Sequence, residues 1–171
     1  MTPMVHIIMG SKSDLEKMSE VSSMLNKLGI TNRMSIFSAH RTPKELAAFI
    51  EEKVNNEDTC KVVIAGAGKA AALPGDIAAI TPKPVIGVPL SGGKYKGVDA
   101  VLSIAEMPPG NPVLTMGIDG TKNAAIAAAK IIALSDEKVR EKLAQFQKEQ
   151  KEKVLADNEA LQKEQDENPN E

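Results

Sequence analysis

Short apolar runs alternate along this chain with longer stretches whose apolar positions recur every three or four residues. The first run, "VHIIM" at 5–9, is apolar except for His6, and "GSKSD" follows it. This predicts a strand entering a turn. From Asp14 the period changes. Leu15, Met18, Val21, Leu25 and Leu28 mark one face of an amphipathic helix. Ser13 with Glu16 predicts a capping box at its start, and Gly29 its stop. "RMSIFS" at 33–38 predicts a second strand. Thr42, Pro43 and Glu45 then supply a cap, a first-turn proline and a third-position glutamate. Leu46, Phe49, Ile50 and Val54 form the face of that second helix. "KVVIAGA", "PVIGVPL" and "PVLTMGI" predict three more strands. Between and after them, helices are expected in "AALPGDIAAI", over about Val98 to Ala105, and in "TKNAAIAAAKIIAL".

Strand and helix alternate throughout, and several strands are apolar on both faces. That combination predicts a parallel sheet between two helix layers. The fold class is therefore α/β: a single three-layer α/β/α sandwich over residues 1–135, flavodoxin-like or Rossmann-like. After Ser135 the composition shifts to Lys, Glu and Gln, but Val139, Leu143 and Phe146 keep a narrow stripe. A C-terminal helix is expected over 136–165. Residues 166–171 have nothing to bury and are expected to form a disordered tail.

Composition narrows the function. The 171 residues suffice for one domain with a core. A formal net charge of -2 gives no basic field for nucleic acid. No apolar run approaches the roughly 20 residues a membrane helix needs, and the N-terminus lacks the features of a signal peptide. Cys60 is the only cysteine, so no intrachain disulfide forms and a cytoplasmic location is expected. With one cysteine and two histidines, soft-ligand metal clusters are excluded. A carboxylate-bound Mg²⁺ is not excluded in this way, but no acidic cluster suggests one. There is no Trp, and only one Tyr and three Phe. Small and aliphatic side chains must fill the core, and they favour flat helix faces that can pack between subunits.

In parallel α/β sheets ligands bind beyond the carboxyl ends of the strands. Three loops fall there. In "GSKSD", Gly10 allows a sharp turn, while Ser11 and Ser13 offer hydroxyls beside free helix N–H groups, a setting that suits phosphate. Asp14 suits ribose hydroxyls. Taken by itself, capping alone is the plainer reading of this loop. In "SAHRTP", Ser38 to Pro43, Arg41 offers a fixed fork for phosphate or carboxylate. His40 beside it offers a side chain able to give and take a proton near neutral pH. A lone histidine more often caps a carbonyl, and His6, inside the first strand, is assigned no chemistry. In "AGAGKAAALPG", Gly68 and its small neighbours let a flat ring approach the backbone. Lys69 there either pairs with an anion or faces solvent. The loop "SIAEMPPGNP" is proline-dense, and Pro108, Pro109 and Pro112 restrict its backbone, with either peptide isomer open to each.

"MGSKSD", "SAHRTP", "AGAG" followed by "AALPG", "PVIGVP", "VDAVLSI", "MPPG" and "NAA" occur in that order. Together they resemble the PurE family of de novo purine biosynthesis, from about Val5 to Leu134. The resemblance implies an enzyme forming 4-carboxy-5-aminoimidazole ribonucleotide (CAIR) without biotin, metal or ATP. One class of the family moves the carboxylate of N5-carboxyaminoimidazole ribonucleotide (N5-CAIR) from nitrogen to C4. The other adds CO2 directly to aminoimidazole ribonucleotide (AIR). It also implies a homo-oligomer, usually an octamer, with the C-terminal helix reaching a neighbouring subunit.

By the resemblance His40 is the proton-transferring histidine. Ser11, Asp14 and Arg41 contact substrate, and Ser13, Ser38 and Gly68 line the pocket. The third loop departs from the mutase pattern. Ala72 stands where that class has a second histidine, and Lys69 where glycine is common. The carboxylase class also lacks that histidine and carries a base near Lys69, whereas Arg41 and "LPG" are mutase-like; Glu106 stands where Gln or Arg is common. The mutase is the first expectation and the carboxylase the alternative. A non-catalytic nucleotide-binding protein on the same fold would need the phosphate and ribose contacts but not His40; a purely structural scaffold would need neither.

Overall fold

The computed structural model describes residues 4–167. Its strands are β1 (Val5–Met9), β2 (Asn32–Ile36), β3 (Val62–Gly68), β4 (Val85–Leu90) and β5 (Leu114–Thr115). Its helices are α1 (Leu15–Lys27), α2 (Pro43–Phe49), α3 (Leu73–Ile80), α4 (Val98–Ala105), α5 (Thr121–Ile132) and α6 (Glu137–Glu167). The strands form one five-stranded sheet in the order β2-β1-β3-β4-β5, with every pairing parallel. That is the flavodoxin order, with its switch point between β1 and β3. Of the two arrangements expected, the flavodoxin-like one is found.

Alternation along the strands splits the core into two layers. Val5, Ile7 and Met9 of β1, with Ile64, Ile86 and Val88, pack under α1, α5 and the start of α6. Ile8, Val63, Ala65 and Val85 face the other way, under α2, α3 and α4. This is why the inner strands read as apolar at nearly every position. Burying each large side chain is worth about 1.5–3 kcal/mol. The alanines of α5 serve close approach. Ala124, Ala125, Ala128 and Ala129 are fully buried against the sheet and α1. Gly66 serves the same end, since a Cβ there would sit 2.3 Å from Met18 Sδ. α1 ends in a Schellman motif. Gly29 takes φ +73°, its N–H donates to Asn26 O, and the Ile30 N–H donates to Leu25 O.

Several expectations need correction. The Ser13–Glu16 capping box is not formed. Ser11 instead caps a single 3-10 turn over Lys12–Asp14, and α1 starts after it. Thr42 sits at the cap position of α2, but its hydroxyl turns back into the loop before it. α2 widens without a break into a π turn over Ile50–Asn55. β5 pairs over two residues only, because Pro112 offers no N–H and the chain turns away beyond Met116. The helix after Ser135 is not external to the domain at its start. Val139 and Leu143 belong to the core, and Lys27 lies over the Phe146 ring. It extends as helix through Glu167, so residues 166 and 167 are not a disordered tail. The remainder of that expected tail, 168–171, lies outside the described residues. No described peptide bond is cis, Pro108, Pro109 and Pro112 included. Among the described residues, no helix is long and apolar enough to cross a membrane.

Candidate active site

Because every strand is parallel, the carboxyl ends of β1 to β4 lie along one edge. Their outgoing loops surround a cleft of about 500 Å3. Ser11, Ser13, Asp14, Ser38, His40, Arg41, Gly68, Lys69 and Ala72 all line it. The structure thus brings together the candidate residues of all three loops, whereas Glu106 and the proline-dense loop that follows it do not line the cleft. The other histidine and the single cysteine sit near the opposite, amino-terminal edge. His6 is buried with Nε2 3.1 Å from Glu57 Oε2, and burial pushes the Cys60 thiol up against the opposing charge of Lys83.

The loop after β1 is built on serine hydrogen bonds. Ser11 Oγ accepts from Ser13 N at 3.3 Å and from the Ser13 hydroxyl at 3.1 Å. The turn places Asp14 half-buried at the head of α1. Burial pushes the Asp14 carboxyl above its ordinary value. Hydrogen bonds from the Ser11 backbone and the Ser13 side chain, and the charges of Lys17 and Lys69, only partly offset this.

The loop after β2 closes on itself. Ser38 N donates to Thr42 Oγ1 at 2.9 Å, and Thr42 Oγ1 donates to Ser38 O at 3.1 Å. This clasp sets the backbone of the two residues that face the cleft. Arg41 donates from Nε to Ser38 Oγ at 3.2 Å and from Nη2 to Gly10 O at 3.4 Å, which bridges the first and second loops. His40 is exposed, and its ring has no hydrogen-bond partner among the described residues.

The loop after β3 holds Lys69 at φ +60°, a left-handed conformation unusual for a residue with a side chain. Gly68 tolerates little else, because a Cβ there would lie 3.0 Å from Leu90 O. Ala72 caps α3 without a side-chain hydrogen bond and leaves its part of the wall without a polar group.

The sequence reading missed Lys17, Ser91 and Asp119. Lys17 and Ser91 line the cleft after α1 begins and after β4 ends. Lys17 Nζ lies 2.8 Å from Asp119 Oδ1, and Asp119 accepts from Ser91 N at 2.8 Å. Burial raises the Asp119 carboxyl, but the hydrogen bonds from Lys17 and Ser91 and the Lys17 charge outweigh it and hold the group below its ordinary value. The one signal available was spacing: Lys17 lies three residues after Asp14, on the same helix face.

The charge balance decides what the cleft accepts. Lys17 is neutralised by Asp119. Among the described residues, no carboxylate lies within ion-pair distance of Arg41 or Lys69. The cleft therefore offers two unneutralised cations, hydroxyl and N–H donors, one carboxylate and one imidazole. That set suits a small anionic ligand with hydroxyls and a proton to exchange. Among the described residues no group of three or more His, Cys, Asp or Glu could hold a metal.

Known proteins resemble the chain over most of its length. A family described as AIR carboxylase matches residues 4–153. The N5-carboxyaminoimidazole ribonucleotide mutase of Methanocaldococcus jannaschii is 46% identical over 158 residues, 92% of this chain and 97% of that protein. The phosphoribosylaminoimidazole carboxylase of Saccharomyces cerevisiae is 44% identical over 153 residues, 90% of this chain but only 26% of that protein. The crystal structure of Treponema denticola PurE superposes with a TM-score of 0.85 at 29% identity, covering 92% of this chain and 97% of that one.

Proposed function

The chain belongs to the AIR carboxylase family, and from that premise we propose that its cleft carries out the N5-CAIR mutase reaction of purine biosynthesis. The single observation that carries this reading is the pairing of two unneutralised cations, Arg41 and Lys69, with the exposed His40 in one cleft. N5-CAIR has two anionic groups, a phosphate and a carbamate, and its conversion to CAIR needs one proton shuttle. Similarity supports the mutase too: the M. jannaschii protein that carries that name is 46% identical over 158 residues.

The chemistry follows from the substrate. The carbamate C–N bond breaks, its electron pair stays on nitrogen, and nitrogen takes a proton as CO2 departs. C4, made nucleophilic by that amine, forms the new C–C bond. The proton on C4 then leaves and the ring regains aromaticity. His40 donates the first proton and accepts the second, so none is consumed. Arg41 and the Ser11–Ser13 turn hold the phosphate, Asp14 and Ser38 the sugar, and Gly68 and Ala72 lie against the ring. Lys69 faces the migrating carboxylate. Remote phosphate binding fixes the ring, and enclosure keeps CO2 near C4.

A second reading is direct carboxylation of AIR by CO2. Ala72 favours it, since the wall there has no polar group to hold a substrate carboxylate. Incubation with N5-CAIR, and separately with AIR plus bicarbonate, while CAIR is followed, decides between them. Conversion of N5-CAIR is expected. Turnover of AIR and bicarbonate alone replaces the mutase with the carboxylase. Nucleotide binding without turnover of either leaves a binding protein.

We place the enzyme in the cytoplasm as a homo-oligomer, an octamer. Two apolar surfaces support assembly. Tyr95, Val98, Leu102, Leu114 and Ile118 are exposed around α4 and the edge strand β5, and Val154, Leu155 and Leu161 are exposed along α6. A closed octamer with more than one type of contact requires more than one such patch.

A further inference from the structure

The mutase steps leave unused a cluster at one wall of the cleft. Lys17 Nζ donates to Asp119 Oδ1 at 2.8 Å, to Asp119 Oδ2 at 2.9 Å, to Ser91 O at 2.9 Å and to Ser91 Oγ. Ser91 donates its N–H to Asp119 Oδ1 at 2.8 Å and its hydroxyl to Asp119 Oδ2. Asp119 is held at φ +53°, and its N–H donates to Pro89 O at 2.8 Å. One lysine and one aspartate therefore tie the head of α1 to the end of β4.

What they tie down is a soft segment. Ser91 is followed by Gly92 and Gly93, which have no side chains to anchor them, and Gly93 sits at φ +66°. Both Ser91 and Gly92 line the cleft. A Cβ on Gly93 would lie 3.5 Å from Lys69 Cγ and 3.6 Å from Lys69 Cε, so the stem of Lys69 rests along this segment. Lys17 and Asp119 side chains are each 37% exposed. An ion pair that open contributes little to stability. Its effect is geometric instead, because it adds two contacts to the backbone of Ser91 itself.

We propose that Lys17 and Asp119 form a strut that positions the Ser91–Gly93 wall against Lys69, and that this wall retains released CO2 until C4 captures it. Neither residue touches the reacting atoms; both act through the loop. The inference rests on the mutase reading for its chemical consequence. When the wall loosens, the C–N bond still breaks and nitrogen still takes its proton, but CO2 escapes to solvent. The products are then AIR and free CO2 rather than CAIR.

The test uses the full chain and three variants: Lys17→Met, Lys17→Arg and Asp119→Asn. Each is given N5-CAIR, and AIR and CAIR are quantified after the nonenzymatic loss of CO2 is subtracted. Amide exchange at residues 91–93 is measured alongside. Lys17→Met should raise the AIR-to-CAIR ratio about tenfold, as expected when a reacting partner is misplaced, with affinity for CAIR changed less than about twofold. Asp119→Asn keeps an acceptor for Ser91 N but loses the ion pair, and should fall between. Lys17→Arg should restore most of the ratio. Exchange at 91–93 should quicken in the order of the ratios. A merely structural defect lowers both products together and leaves their ratio fixed, and that result overturns the proposal. So does unchanged exchange at 91–93 in Lys17→Met. Wild-type protein that leaves N5-CAIR untouched refutes the mutase reading instead, and the exchange rates still decide the strut.

Discussion

In the proposed mechanism His40 and Arg41, though adjacent, do different work, and substitution should separate them. A proton shuttle acts in the transition state, so His40→Asn should lower kcat by about 10²–10⁴ while nucleotide affinity stays within about twofold. Steady-state kinetics together with calorimetry on CAIR checks this, and near-normal kcat would remove His40 from the mechanism. Arg41→Ala removes a charge-assisted contact worth about 1.5–3 kcal/mol, so affinity for CAIR should fall about ten- to a hundredfold. Affinity for the dephosphorylated nucleoside should hardly change; an equal loss would mean that Arg41 does not read the phosphate. Asp119 gives a pH dependence with a definite sign. Its folded-state carboxyl lies below the ordinary 3.8. The stability it adds is present above that value and is lost as pH falls through the lower folded value. Wild type should therefore unfold at slightly higher urea than Asp119→Asn near pH 7, by the small margin an exposed pair allows, and the gap should close in acid. A gap that widened in acid would reverse the assignment. At this scale the sequence was legible where chemistry is local. Gly10 to Asp14 and Ser38 to Pro43 each bring their functional groups together within a few residues. Lys17, Ser91 and Asp119 were not, since their contacts span 74 and 102 positions along the chain. Thr42 shows a subtler failure: the residue fits a helix cap, but Ser38 competes for its hydroxyl and wins.

Between elements, packing is set by a few positions where backbone must meet side chain. Gly87, central in β4, is one. A Cβ there would lie 2.4 Å from Ile104 Cγ2 and 2.8 Å from Val113 Cγ1. Both neighbours are β-branched and cannot rotate away cheaply. Gly87→Ala should therefore destabilise the fold by about 1–3 kcal/mol through overpacking. Urea unfolding measures it, and an unchanged midpoint would show that α4 can shift outward at no cost. The inner strands were legible because burial on both faces leaves a continuous apolar run that nothing else in the chain imitates. β1 matches its expected residues 5–9. The edge strand β5 was overestimated because seven apolar-rich residues promised a full strand. Pairing depends on available N–H groups and on the chain's direction, and Pro112 and the Gly117–Gly120 turn limit both. The π turn after α2 left no mark in the apolar period, since Leu46, Ile50 and Val54 are buried as a regular helix would bury them.

The whole molecule poses its sharpest question at α6. The 31-residue helix begins as part of the domain and ends outside it. Val139 and Leu143 are buried, and Phe146 packs against the same core. The sequence from 147 to 153 is wholly polar. Apolar residues then return at Val154, Leu155 and Leu161, all exposed. An isolated helix in water gains nothing from such a second patch, and most helical stability in proteins comes from packing. A neighbouring subunit is the natural cover, and it would shield the exposed residues of α4 and β5 by the same assembly. In the octamer proposed above, the first patch serves folding and the second association, so a truncation between them should separate the two. The full chain should scatter light as an octamer at micromolar concentration. Deletion of residues 151–171 keeps Val139, Leu143 and Phe146 in place. It should leave the far-ultraviolet spectrum per folded residue and the unfolding midpoint of the monomer nearly unchanged while reducing the assembly to smaller species. A full chain that is monomeric would refute the assembly itself. A truncated chain that remains octameric would place every subunit contact on α4, β5 and the domain faces, and would leave the distal half of α6 without a role in association.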